Sequence, residues 1–310
     1  MNPHAARAVG AFAAAAVGGL AYAHLETKLF TVRDVTVPVL PPGARDLRVL
    51  HVSDLHLVPS QQRKIAWVHA LGDLEPDLVV NTGDNMAHRD ALAPLLSALE
   101  PLLERAPGMF VMGSNDYYAP QPKNPARYLL PDARSPLTSS PPTLPAAELA
   151  AAFSRAGWVD LTNRRDSLRV GGVQLDLVGV DDPHLDRDVF PEPGTTGSTS
   201  DVPTLRLGVT HAPYRRVLDA MHADGADAVL AGHTHGGQLC VPGFGALVTN
   251  CDLDRGRAKG LHGWPGARPD EPGGEGSTWL HVSAGAGTSP YAPFRFACRP
   301  EATLLTLTAR

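Results

Sequence analysis

Thiols are scarce in this chain of 310 residues. Its three cysteines, Cys240, Cys251 and Cys298, are odd in number and form no C-x-x-C pair, which argues against a disulfide framework and against zinc–thiolate sites. They read as free, mostly buried thiols. Basic excess is lacking as well: 27 Lys and Arg stand against 32 Asp and Glu, a net charge of −5. Bulk electrostatic binding of nucleic acid is therefore not expected. No twin arginine, internal repeat or domain-splitting linker occurs. Charged residues make up 19% and apolar ones 43%, a balance that rules out disorder of the whole chain and supplies a sizeable core.

What the chain has in plenty is Gly and Pro, 30 and 29 residues, about a fifth of the total where about 12% is usual. That suits a loop-rich enzyme better than a helical bundle. Its 13 histidines are also not scattered. The first 30 residues stand apart from the rest. Ala8 to Ala23 carries no charge and follows Arg7, but it falls short of the ~20 apolar residues of a comfortable spanning helix. With Ala21-Tyr22-Ala23 as an A-x-A-like site, it fits a signal or membrane-anchoring segment; an Ala-rich helix is the alternative. Residues 1–30 are assigned to this segment and 31–310 to one catalytic domain. Membrane association through residues 8–23, or export, is expected ahead of a cytoplasmic location.

From Leu47 onward strands and helices alternate. Short apolar, β-branched runs at 47–52, 77–81 and 109–112 read as buried strands, and 65–71 and 91–103 as the helices between them. This β-α-β-α-β order predicts a mainly parallel sheet covered by helices, an α/β fold. Further strands are expected at 158–161, 168–170, 173–180, 205–210, 228–231, 279–283 and 303–308. The Pro-rich stretch 119–145 reads as a long surface excursion that shapes specificity, and 191–203 and 264–276 as insertions.

The strand ends carry the chemistry. The first runs into Ser53-Asp54-Leu55-His56, the second into Thr82-Gly83-Asp84-Asn85, the third into Gly113-Ser114-Asn115-Asp116. The strand at 205–210 delivers His211, and that at 228–231 delivers Gly232-His233-Thr234-His235-Gly236. Ligands of open α/β sheets bind beyond the carboxyl ends of strands. Any one such group is a weak signal, but five in succession after apolar runs point to a shared centre. Two carboxylates (Asp54, Asp84), one amide (Asn115) and four imidazoles (His56, His211, His233, His235) supply O and N donors and no thiolate. That mixture suits Mn, Fe or Zn better than Ca or Mg. Seven ligands are too many for one ion and fit two that share a carboxylate, the arrangement that clamps a phosphoryl oxygen and generates hydroxide.

The motifs resemble those of the calcineurin-like metallophosphoesterases: DxH, GD, GNH[DE], a later His, and GHxH. The likeness spans residues 47 to about 310 in order and spacing, with Gly232-His233-Thr234-His235-Gly236-Gly237-Gln238 the most specific part. Gly179-Val180-Asp181-Asp182 and the Gly-Gly-Gln point to the bacterial branch that often carries an N-terminal signal or membrane segment. The resemblance implies a four-layer α-β-β-α sandwich of two mixed sheets, with a dinuclear metal site at the strand C-terminal ends. It further implies that Asp54, His56 and His235 hold the first metal, Asp84 bridges, and Asn115, His211 and His233 hold the second.

One motif departs from the pattern. Where the family has Gly-Asn-His-Asp or Gly-Asn-His-Glu, this chain has Gly113-Ser114-Asn115-Asp116. An ungapped register puts Ser114 on the amide ligand and Asn115 on the histidine thought to help the leaving group. A register counted from Gly108 puts Asn115 on the ligand and Asp116 in place of the histidine. The second is preferred because it keeps an amide oxygen for the metal, which makes Asp84, Asn115 and Asp116 the catalytic candidates.

Other residues have two readings. Asn85 and His88 either touch substrate or cap their loop. Asp181, Asp182 and His184 form a polar cluster outside the ligand positions. Tyr117 and Tyr118 either wall a pocket or pack. Arg295 either grips phosphate through its planar fork or makes a surface ion pair; Arg164-Arg165 reads as a solvated turn. The sequence thus predicts a dinuclear metal-dependent phosphoesterase acting on a phosphate monoester, diester or pyrophosphate by metal-bridged hydroxide attack. A lipid-linked phosphate ester is among the expected substrates. The competing reading is a catalytically weak metal-binding scaffold serving as an interaction module.

Overall fold

The computed structural model describes residues 3–122, 142–192 and 204–310. Most of the Pro-rich 119–145 stretch and of the 191–203 insertion lies outside the described residues. The first sheet contains β1 (Thr31–Leu40), β2 (Leu47–Val52), β3 (Leu78–Asn81), β4 (Gly108–Phe110), β5 (Val159–Asp160) and β14 (Glu301–Ala309), in the order β1-β14-β2-β3-β4-β5. β2 to β5 run parallel, β14 runs antiparallel to β2, and β1 runs parallel to β14. The second sheet contains β6 (Arg164–Val170), β7 (Val173–Gly179), β8 (Thr204–Thr210), β9 (Ala228–Ala231), β12 (Gly260–Trp264) and β13 (Thr278–Val282), in the order β12-β13-β9-β8-β7-β6. Its middle is parallel and its two edges are antiparallel. Both sheets are therefore mixed, as expected.

Their facing surfaces interlock. Val37, Val49, Val80 and Leu305 of the first sheet share a buried cluster with Leu175, Leu207, Leu230 and Trp279 of the second. Each fully buried side chain of this kind contributes about 1.5–3 kcal/mol relative to exposure. On the outer face of the first sheet, Val68 of α2 (Gln62–Ala70), Leu95, Leu99 and Leu102 of α3 (Leu92–Arg105) and Leu149 and Phe153 of α5 (Ala146–Arg155) pack over Leu50, Val79 and Phe110. A one-turn helix, α4 (Ser114–Tyr117), precedes α5. On the outer face of the second sheet, Val217, Leu218 and Met221 of α6 (Arg215–Ala223) cover Val229, Leu280 and Val282. Helices, sheet, sheet and helix make four layers. A short hairpin, β10 (Cys240–Val241) with β11 (Gly245–Ala246), stands outside them.

The layering brings two strand edges to one place. β2, β3 and β4 end side by side in one sheet, β8 and β9 in the other, and all five lead into the polar segments picked out in the sequence. β1 was not foreseen, because Arg33, Asp34 and Pro38 interrupt its apolar pattern. As the edge of its sheet it tolerates them, since an edge strand needs no donor on its outer side.

The N-terminal segment is helical, α1 (Pro3–Glu26). Among the described residues no helix is long and apolar enough to cross a membrane. The segment is less separate from the body than the sequence indicates. Ala23 and Glu26 are buried, the Ala23 carbonyl accepts the Arg295 N–H at 2.9 Å, and the Glu26 carboxylate accepts those of Ala297 and Cys298 at 3.0 and 2.6 Å. The last turn of α1 thus pins the segment that leads into β14. Losing Glu26 leaves two buried donors unpaired, so Glu26→Ala is expected to lower unfolding free energy by about 2–4 kcal/mol. Urea unfolding checks this, with Glu26→Gln, which keeps an acceptor, losing less.

Candidate metal centre

The polar residues after the five strand ends meet in one buried cluster. His56 Nε2 lies 3.1 Å from His235 Nε2, 3.4 Å from Asp84 Oδ2 and 4.0 Å from Asp54 Oδ1. His235 Nε2 lies 3.6 Å from Asp54 Oδ1. On the other side, His211 Nε2 is 3.6 Å from Asp84 Oδ1 and 3.3 Å from His233 Nδ1. Among the described residues, Asp54, His56 and His235 form one group able to hold a cation, and Asp54, Asp84 and His211 another.

The backbone is strained to bring them there. Asp54, His56, Asp84, His233 and His235 all have positive φ, between 42° and 68°, a conformation that side chains with a Cβ seldom adopt. Strain of this kind costs about 1–3 kcal/mol per residue and gathers at functional sites. Two glycines make room. A Cβ on Gly232 would collide with the Ser53 hydroxyl, and one on Gly113 with the Asp84 carboxylate.

Each imidazole is oriented by its second nitrogen. His211 donates from Nδ1 to the Thr82 carbonyl at 2.7 Å, and His235 from Nδ1 to the Gly287 carbonyl at 3.0 Å, so both turn Nε2 toward the cluster. His233 does the reverse: Nε2 donates to the Asn250 carbonyl at 3.1 Å and Nδ1 turns inward. These tautomers follow from the partners.

Asp54 is held by a hydrogen-bond chain that reaches the opposite sheet. Ser53 donates to Asp54 Oδ2 at 2.5 Å and Thr82 to Ser53 at 2.6 Å. The Thr82 hydroxyl, its hydrogen used, accepts from His51 Nε2 at 3.0 Å, which leaves His51 Nδ1 to accept from His281 Nδ1 at 2.9 Å. Burial, and then His281, hold the His51 pKa well below its usual value, consistent with a neutral ring that donates on one side and accepts on the other. The His233 N–H also donates to Asp54 Oδ2, at 3.0 Å. Asp54 Oδ1 faces His56 and His235.

The electrostatics call for positive charge. Burial pushes the Asp84 carboxyl up to about 8, with Asp54, Asp116 and Asp182 adding to the shift and His211 opposing it. Burial pulls His211 down, but Asp84, Asp182 and Asp54 outweigh it and raise it to about 9. Burial holds His56 and His235 well below the usual value, as neutral rings with Nε2 atoms face to face. Two carboxylates and several imidazole nitrogens converging in a buried site fit divalent cations.

The third loop differs from the expectation. Asp116 is fully buried and both its oxygens are engaged. Oδ2 accepts the N–H groups of Gly113 and Asp84, each at 2.9 Å, and Oδ1 accepts the Asn85 N–H at 2.9 Å. Burial raises its pKa, against those bonds. It ties the second and third loops together and does not present a free acid in the place of a histidine. The Asn115 N–H donates to Asp84 Oδ1 at 2.6 Å, and its amide nitrogen to the Tyr118 carbonyl at 2.8 Å.

The remaining candidates divide. Asn85 caps its loop through Asn81 and Asp116, and His88 is exposed and accepts the Asp90 N–H. Tyr117 donates to Asp181, which also pairs with Arg187. His184 packs against His233, ring centres 4.5 Å apart; Asp182 lies buried beside it with Oδ2 unpartnered. Arg295 matches neither reading, because it is wholly buried and donates to the carbonyls of Ala284, Gly285 and Gly287. It shares the Gly287 acceptor with His235 and so steadies that ring. His51, Ser53, Thr82, Asn250 and His281 were not identified from the sequence.

The model of the calcineurin-like phosphoesterase family matches residues 47–237. A metallophosphoesterase of Aquifex aeolicus, itself uncharacterised, is 28% identical over 299 residues, 93% of this chain and 95% of the relative. Phosphodiesterase YaeI of Escherichia coli K12 is 29% identical over 271 residues, 86% of this chain and 83% of its own. Among solved structures, a purple acid phosphatase from yellow lupin seeds aligns with a TM-score of 0.38 at 14% identity, over 63% of this chain and 39% of that one. The family match begins with β2 and closes on Gly237, so every strand end that feeds the cluster falls inside it: the chain belongs to the calcineurin-like phosphoesterase family and is a metal-dependent hydrolase of phosphoric esters.

Proposed function

We propose that the cluster holds two divalent cations and that the protein hydrolyses phosphodiesters or pyrophosphates. Asp54, His56 and His235 hold one ion; His211, His233 and Asn115 hold the other, and Asp84 serves both. The orientation of Asp84 carries the reading. Its Oδ2 faces His56 at 3.4 Å while its Oδ1 faces His211 at 3.6 Å, one oxygen toward each group. The Asn115 bond to Tyr118 uses the amide nitrogen and leaves the side-chain oxygen as a donor. The imidazole-rich set favours Mn, Fe or Zn over Mg. When bound, such ions neutralise the phosphoryl oxygens and acidify a water for attack at phosphorus.

The protein's own part is to hold the donors in one geometry, and the Ser53, Thr82, Gly287 and Asn250 bonds do this. The diester reading draws support from the relative named a phosphodiesterase. A lipid-linked phosphate ester and a place at the membrane or outside the cytoplasm belong to the same proposal. They are motivated by the run of α1 between Arg7 and Glu26, which carries no Asp, Glu, Lys or Arg.

Replacing Asp84 tests the shared carboxylate. Asp84→Asn is expected to lower metal content and the hydrolysis of an aryl phosphodiester together, by ~10–100-fold or more, as disturbing even outer-shell partners does. Metal analysis by mass spectrometry alongside the assay checks it, and a fully active, fully metallated variant overturns the assignment.

The raised Asp84 value sets a pH dependence. Its protonated form contributes stability that is present below the ordinary carboxylate value and is lost as pH rises through about 8. Metal-free protein is therefore expected to lose stability over that window, while metal binding, which needs the carboxylate, strengthens. Below pH 8 the apparent affinity should rise roughly tenfold per unit for each proton displaced. Calorimetric titration at several pH values reads this directly.

The engagement of Asp116 leaves the third loop without a free acid. A general acid is typically worth ~10²–10⁴-fold, most for a basic leaving group. Hydrolysis is thus expected to fall steeply as leaving-group pKa rises, with aryl esters and pyrophosphates favoured over simple alkyl esters. Asp116→Asn should lower the rate across the whole ester series without changing the slope. A shallow slope in the parent protein means that another acid acts.

A further inference from the structure

Beyond its last turn the described side chains of α1 are largely exposed, and the large apolar ones keep to no single face. Phe12, Val17, Leu20, Tyr22 and Leu25 are 77, 68, 58, 44 and 50% exposed. At 3.6 residues per turn the last four stand at about 140°, 80°, 280° and 220° from Phe12, so the whole circumference is apolar. No Asp, Glu, Lys or Arg lies between Arg7 and Glu26. A helix docked in a protein groove, or on a second copy of this chain, shows one apolar stripe and a polar back; one apolar all round needs an apolar medium.

The same surface continues onto the catalytic body. The Arg295 N–H donates to the Ala23 carbonyl, the Tyr22 ring lies 5.7 Å from that of Phe296, and Tyr291 and Phe294 in this segment are exposed. Main-chain bonds from Cys240 to Phe296 and from Phe296 to Gln238 join the segment to the β10–β11 hairpin, where Val241 and Phe244 are exposed. The Arg255 guanidinium sits over the Phe244 ring, 4.9 Å from its centre. Aromatic rings beside a cation are the composition of a membrane–water interface with anionic headgroups. These loops also border the cluster: Gln238 follows His235 by three residues, and Gly287 accepts both His235 and Arg295.

We propose that this edge seats the protein on an anionic phospholipid bilayer, with α1 in the lipid, Phe244, Tyr291 and Phe294 at the interface, and the metal-site edge of the body against the membrane. The orientation rests on the phosphoesterase reading; the binding does not. The test is flotation of the full-length protein with phosphatidylcholine vesicles, with and without phosphatidylglycerol. It is compared with a variant carrying Phe244→Ser, Tyr291→Ser and Phe294→Ser. The parent protein is expected to float with the vesicles, more strongly with phosphatidylglycerol, and the variant to bind ~10-fold more weakly. Metal content and hydrolysis of a soluble aryl diester should be unchanged in the variant. Equal binding of the two proteins removes the body from the interface and overturns the proposal. So does failure of the parent to float, or a vesicle-free dimer that Phe12→Ser dissolves. Failure of the diester assay with flotation intact counts against the phosphoesterase reading alone.

Discussion

Burial of like-charged and lone-pair-bearing groups at one point is the constraint that shapes this molecule. Asp54 and Asp84 are both shut away from water within reach of three imidazoles, those of His56, His211 and His235. Left alone such a cluster is costly: burial and the neighbouring carboxylates push the Asp84 carboxyl up, and those carboxylates outweigh burial to raise His211. It persists because two sheets, clamped through an extensive apolar interface, fix the strand ends from which the groups project. Positive φ values at five of the polar residues then turn the side chains inward. Core packing is in effect what sustains the local strain, and the strain is what makes the donors converge.

Much of this was legible because the informative residues interrupt strong local signals. Asp54, His56, Asp84, His211, His233 and His235 each follow an apolar strand, and their succession at five strand ends is a signal that no one of them gives alone. The two-sheet architecture came from the family likeness, since alternation of strands and helices alone indicates only a mainly parallel sheet. β1 escaped because its charges and proline are features of an edge, and being an edge is a property of the assembled sheet.

The supporting residues were not legible for a related reason. His51 sits inside an apolar run and His281 in another strand 230 positions later; only the apposition of the sheets shows that they meet. Ser53 and Thr82 look like ordinary turn residues until their hydroxyls are seen to point the same way along one chain. Asp116 was assigned by counting along a motif, whereas its role is set by three backbone N–H groups from two loops. The interior role of Arg295 lacked any sequence cue, because a guanidinium that satisfies backbone carbonyls is indistinguishable on paper from a surface arginine.

Thr82 links the two halves of the cluster more closely than their separate ligands do. Its hydroxyl feeds the chain that ends on Asp54, and its carbonyl accepts the hydrogen bond of His211 Nδ1. A shift of Thr82 moves both halves at once, so neither is adjusted while the other stays as it was. Substitutions around one half should show strong epistasis with those around the other. Paired replacements are then the route by which this cluster changes, and that route is narrow even though the individual side chains look interchangeable.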